Sequence, residues 1–139
     1  MAGPTPEKLA SSGSELAHQT ALFCWAALNV YHWPELEMLH AIPNGGTRNK
    51  IEAGFLKASG VRSGVPDVCL PVARHGLHGL YIELKRHPNK PSENQWAWIN
   101  RLIAGGYAAV LAYSWIEAKD YITAYLESPD DKTPVSGAA

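Results

Sequence analysis

Stretches whose apolar residues recur every three or four positions alternate along the chain with shorter runs that are apolar almost throughout. That pattern predicts helices interleaved with buried strands. Ser14 is placed to cap a helix running to about Val30, with Leu16, Phe23, Ala27 and Val30 on or near one face. Trp33-Pro34 ends it. Leu36 to Ile42 reads as a short strand, stopped by the turn signal Pro43-Asn44-Gly45-Gly46. From Arg48 to Ser59 the spacing predicts a second helix with Ile51 and Phe55 inward, and Gly60 suits its C-terminal cap.

Two strands follow, Asp67 to Val72 and Gly79 to Arg86, and the short linker between them favours an antiparallel hairpin. His87-Pro88-Asn89-Lys90-Pro91 then breaks the chain. Ser92 and Gln95 match a capping box opening a helix to about Ala104, closed by Gly105-Gly106. Tyr107 to Tyr113 is nearly all apolar, as a strand covered on both faces would be. Ser114 and Glu117 form a second capping box before a last helix to about Leu126. The predicted order is α-β-α-β-β-α-β-α, an α/β domain with a small mixed sheet flanked by helices. It spans residues 14–126. Residues 1–13 and 127–139, rich in Pro, Gly and Ser, are expected to be flexible tails.

Composition narrows the class. Of 139 residues, 46% are apolar and 18% charged, enough to bury a real core and too apolar for general disorder. No apolar stretch is long enough to span a membrane, and the start of the chain lacks the pattern of a signal peptide. Cys24 and Cys69 form no CxxC motif and suit two thiols in a reducing compartment. A cytoplasmic protein is the expectation.

Charge changes the picture more. The net charge is only −1, but it is unevenly spread. Residues 41–101 hold nine bases against four acids, while the flanking blocks are each net −3. Such a chain can fold with one positive face and an acidic back, as a nucleic-acid partner requires. Within this block Asn44, Gly45 and Gly46 make a turn whose N–H groups can approach phosphate closely. Arg48 and Lys50 follow at a helix start, where the dipole disfavours cations, so phosphate contact explains them better than helix stability does. Arg86 joins them as a DNA-contact candidate.

The candidate chemistry lies in Glu83-Leu84-Lys85, with Asp67 on the preceding strand. Residues two apart in a strand point the same way, so Glu83 and Lys85 share a face while Leu84 can enter the core. In an antiparallel hairpin the start of the first strand lies beside the end of the second. Asp67 therefore joins Glu83 and Lys85 at one rim. Two carboxylates with a backbone carbonyl can hold Mg²⁺ or Mn²⁺ and leave positions open for water and a phosphate oxygen. A lysine there can orient the attacking water or stabilise negative charge. Taken alone the pattern has a plain competitor, an exposed Glu–Lys pair on an edge strand.

The surrounding motifs decide between them. Ile42-Pro43-Asn44-Gly45-Gly46, Arg48, Gly64-Val65-Pro66-Asp67, Gly79-Leu80-Tyr81-Ile82-Glu83-Leu84-Lys85, then Ser92 and Gln95, in that order, closely resemble the VRR-NUC family, a branch of the PD-(D/E)xK nucleases. The resemblance covers roughly residues 14–126. It implies a restriction-endonuclease-like core, with Asp67 and Glu83 as metal ligands, the Leu84 carbonyl as a backbone ligand and Lys85 as the catalytic lysine. It implies for Glu15 an additional acidic role at the metal, and for Gln95 a place near the scissile phosphate. Each of these two has a structural alternative: Glu15 at the positive end of its helix, Gln95 as a capping residue. His18 matches the family loosely and has a surface reading as well.

The leading expectation is a Mg²⁺- or Mn²⁺-dependent DNA endonuclease, selective for branched DNA such as four-way junctions. The short chain resembles stand-alone viral or bacterial members, which implies a homodimer and a phage protein in a bacterial host. Trp96, Trp98, Trp115 and Tyr121 are candidates for the dimer surface. The alternative is a catalytically idle nuclease-fold module binding DNA or a replication protein. Two acids in a phosphate-facing cleft would repel DNA in such a module unless a cation offset them.

Overall fold

The computed structural model describes residues 3–43 and 50–127. Four strands, β1 (His40–Ala41), β2 (Val68–Leu70), β3 (Leu80–Leu84) and β4 (Ala108–Ala112), form one sheet in the order β1-β2-β3-β4. β1 to β2 and β2 to β3 are antiparallel, as the short linker requires, and β3 to β4 is parallel across a helical crossover. The helices are α1 (Pro6–Leu9), α2 (Glu15–Leu28), α3 (Lys50–Ala58), α4 (Glu93–Ala104) and α5 (Trp115–Leu126), with a 3-10 turn over Pro34–Met38. The mixed α+β architecture read from the sequence is the one found.

One face of the sheet makes the main core. Leu80, Ile82 and Leu84 of β3 point into it and meet Leu22 and Trp25 of α2 and Ile122 of α5. Each fully buried aliphatic side chain contributes on the order of 1.5–3 kcal/mol. The Tyr125 hydroxyl donates to the Val72 carbonyl at 2.6 Å, so its polar tip is satisfied within the core. The opposite face carries Cys69, Tyr81 and Glu83 and is covered from the β4 side by α4. Ser92 and Gln95 form the expected reciprocal capping box at the start of α4. Ser14 caps α2 as expected, accepting the Ala17 N–H at 3.0 Å.

Several local expectations are corrected. In α2 the buried residues are Ala21, Leu22, Trp25 and Ala26, while Leu16 is 72% exposed and Ala27 also faces outward. This helix is apolar nearly all round, so its pattern alone selects no face, and the sheet and α5 select it instead. The segment before it is not frayed throughout. Thr5 caps a short helix with Pro6 at its first position, Pro6 is buried, and α1 lies against α2.

Leu36 to Ile42 is mostly not a strand. Pro34 opens the 3-10 turn, which places Leu36 and Leu39, three apart, together in the core, and only His40–Ala41 pairs with β2. In α3, Ile51 and Phe55 are 73% and 72% exposed rather than inward, and none of the helix's residues is buried. Amphipathic spacing shows which residues share a face, not whether another element lies opposite. β4 is half-buried along most of its length because it is the sheet's edge. The second capping box closes one residue early: Glu117 accepts the N–H of Tyr113 rather than that of Ser114. The Asn44-Gly45-Gly46 turn, Arg48 and residues 128–139 lie outside the described residues. No helix among the described residues is long and apolar enough to cross a membrane.

Candidate active site

The pairing of β2 with β3 sets the geometry. Val68 faces Ile82 in the ladder, so the next step out brings Asp67 opposite Glu83. Backbone contacts on both sides help to hold Asp67. Its carbonyl accepts the Ile42 N–H at 2.8 Å, extending the β1 pairing. Its Oδ2 accepts the backbone N–H of Leu84, also at 2.8 Å. The Leu84 side chain is buried in the main core, so the dipeptide Glu83-Leu84 divides its side chains between the two faces as the strand alternation predicted.

Glu83 is 1% exposed. Its Oε2 accepts from Gln95 Nε2 at 3.2 Å, while Oε1 is buried with no hydrogen-bond partner among the described residues. Burial, and then the facing Asp67 carboxylate, push the Glu83 pKa up to about 9; Lys85 pulls the other way and Glu15 adds to the rise. Lys85 and Glu15 are therefore both within electrostatic reach of the carboxylate pair. Lys85 stays in the plane of the sheet, its N–H donating to Ala112 at 2.9 Å, with its side chain half-exposed.

Gln95 both caps its helix and touches Glu83. Its Oε1 accepts the Ser92 N–H at 2.8 Å in the capping box, and the same amide's Nε2 holds Glu83. Arg86 is exposed, with its guanidinium beside Gly13, so it lies next to the start of α2 that carries Glu15. Lys50 is exposed at the first position of α3, and among the described residues no ion pair ties it to the carboxylates. His18 has a structural role through one ring nitrogen. Its Nδ1 accepts the Trp115 N–H at 3.0 Å and so caps α5.

Tyr81, which the sequence reading gave no role, and Trp98, which it considered only as a stacking or dimer-surface ring, stand close by. Tyr81, two positions before Glu83, shares its face, and Trp98 lies one turn beyond Gln95 on α4. Strand and helix periodicity were the available signals.

Among the described residues no group of three or more His, Cys, Asp or Glu side chains is arranged to cage a metal ion. The donors present are the carboxylates of Asp67 and Glu83 with the Leu84 peptide between strands. This set fits a hard divalent cation. A buried carboxylate oxygen without a partner, facing a second carboxylate, is satisfied either by a proton or by a cation.

Comparisons with known proteins agree with this fold. The family model described as "VRR-NUC domain" matches residues 13–115. A solved structure described as "VRR_NUC domain protein" superimposes with a TM-score of 0.70 at 28% identity, covering 82% of this chain and 88% of that one. No curated protein matches.

Proposed function

The chain belongs to the VRR-NUC family, nucleases of the PD-(D/E)xK type, and from that premise we propose that it is a Mg²⁺- or Mn²⁺-dependent DNA endonuclease in which Asp67, Glu83 and Lys85 form the catalytic centre. The observation that carries the reading is Glu83, whose carboxylate is almost wholly buried beside that of Asp67 and whose Oε1 has no hydrogen-bond partner among the described residues. Burying such a group in its ionised form without a cation costs stability, which a purely structural role does not explain. Asp67, Glu83 and the Leu84 carbonyl would hold the ion, with Glu15 as an additional acid at the edge. A bound divalent ion supplies charge neutralisation for the phosphate and acidifies a coordinated water.

The chain's own residues set up the rest. The Leu84 N–H fixes the rotamer of Asp67, and the Gln95 amide fixes that of Glu83, so both carboxylates are oriented before substrate arrives. Lys85, half-exposed at the end of β3, presents an ammonium to the scissile phosphate, where it orients the attacking water or offsets charge growing on the phosphate oxygens. Arg86 and Lys50, with Asn44, Gly45, Gly46 and Arg48, would contact the DNA backbone. Branched DNA and a homodimer belong to the same proposal. The support is the basic middle block and the exposed rings of Trp96 and Tyr121. Trp115 is withdrawn from the dimer surface, since it is buried against the core.

The test is digestion of flap, splayed, four-way and linear DNAs in Mg²⁺, Mn²⁺ and EDTA. Metal-dependent cutting that is lost in Asp67→Asn and Glu83→Gln supports the reading. DNA binding without cutting under every metal condition would assign the chain to the idle module instead.

A further inference from the structure

The sheet face that carries Asp67 and Glu83 is only partly covered, and three neighbouring cavities open between α3, α4 and the strands. They measure about 490, 390 and 500 Å³, and Trp98 lines all three. Tyr81 lines the cavity against the strands and Tyr107 the one beyond α4, and these two rings meet edge-on with centroids 5.5 Å apart. Lys57, Arg62 and Arg101 lie along the same walls, and among the described residues no carboxylate lines any of the three.

The cavities lie along the strand and the helix that carry Glu83 and Gln95, although neither residue lines them. Tyr81 precedes Glu83 by two positions on one face, roughly 6–7 Å along the strand. Trp98 follows Gln95 by one helical turn, and Gln95 touches Glu83. A ligand seated at the carboxylates and extending along the sheet would therefore pass Trp98.

We propose that this groove binds an unpaired stretch of the DNA strand beside the phosphate to be cut, with a base stacked on Trp98 and the flanking phosphates held by Arg62, Lys57 and Arg101. The proposal rests on the reading of the chain as a DNA nuclease and adds to it the form of the substrate. Cations spread over three linked cavities, without carboxylates among them, match a phosphodiester chain better than a compact anion. Cavities of a few hundred Å³ admit single bases and not a duplex, whose bases already cover each other's faces. An aromatic platform with a cationic wall is the general physical solution for holding a single strand without reading its sequence.

Binding in EDTA tests this without cleavage. The probes are a duplex carrying a single-stranded arm, with 2-aminopurine at the first positions of the arm, and the same duplex fully paired. Repulsion from the metal-free carboxylates acts on both probes, so the ratio of their affinities isolates the groove. Wild-type protein should bind the armed DNA about tenfold more tightly and quench the 2-aminopurine. Trp98→Ala should bring the ratio near one and remove the quench, while Trp98→Phe, which keeps a flat ring, restores most of both. Arg62→Gln, an exposed change that leaves the fold undisturbed, should also lower the ratio.

A wild-type ratio of one overturns the groove, as does a ratio that both Trp98→Ala and Arg62→Gln leave unchanged. Arm preference abolished by free deoxynucleotide at concentrations too low to displace paired DNA would reassign the cavities to a small nucleotide. Cutting in Mn²⁺ is scored separately. Cutting of paired DNA with a binding ratio of one removes the groove and leaves the nuclease standing. Arm preference without cutting of any DNA removes the nuclease and leaves the groove.

Discussion

Asp67 accepts the backbone N–H of Leu84 across the strand pair at 2.8 Å, so a carboxylate proposed for metal binding also closes the sheet's hydrogen-bond ladder. The side chain takes the position that a further ladder carbonyl would occupy. Its substitution therefore has two separable consequences, one for the fold and one for the chemistry.

Asp67→Asn keeps an oxygen for the Leu84 N–H, whereas Asp67→Ala leaves that donor unpaired at a cost of about 1–3 kcal/mol. Both should lose cleavage, with Asn melting near the wild-type temperature and Ala several degrees lower. Thermal melts beside a cleavage assay read the two effects apart. Wild-type turnover in purified Asp67→Asn would remove Asp67 from the catalytic centre.

The raised pKa of Glu83, about 9 against an ordinary 4.5, has a definite sign. The folded state favours the proton, so metal-free protein should lose stability as the pH rises from about 4.5 to 9 and level off beyond. The expected change is at least ~1–2 kcal/mol, a few degrees in Tm. Glu83→Gln should flatten this profile in EDTA and abolish cleavage. Added Mn²⁺ should raise the Tm of wild type most at the alkaline end, where the carboxylate is free of its proton. A flat wild-type profile in EDTA would contradict the burial argument.

Lys85→Ala should lower turnover about 10²-fold while changing DNA affinity little, because one phosphate contact among many basic residues adds little to binding, whereas a charge aimed at the transition state acts on rate. Single-turnover kinetics beside equilibrium binding separate the two. Normal cutting with much weaker binding would make Lys85 a docking residue.

Gln95 offers a sharper separation still. Gln95→Glu keeps an oxygen for the Ser92 N–H, so α4 stays capped, but it replaces the donor to Glu83 with a third carboxyl group. Stability should change by less than about 1 kcal/mol at pH 5, where added carboxyl groups carry fewer charges, while activity falls sharply. Gln95→Ala should lose both cap and contact. If Gln95→Glu cuts as wild type does, the amide serves only the helix.

Local chemistry made much of this protein legible without coordinates. Ser14, Ser92 and Ser114 cap their helices because an N-cap needs only its own side chain and the next few N–H groups. The hairpin of β2 and β3 was legible because a short linker permits little else, and period-two alternation then placed Asp67, Glu83 and Lys85 at one rim. Tertiary structure decided what depends on distant neighbours. Leu16 and Ala27, on an almost uniformly apolar helix, turn outward, and Ile51 and Phe55 lie exposed although their spacing is amphipathic. The double duty of Gln95 and the Trp98 groove likewise arise where α4 meets β3, two segments joined only by the fold. Spacing along a chain determines which side chains travel together, and only packing determines what they meet.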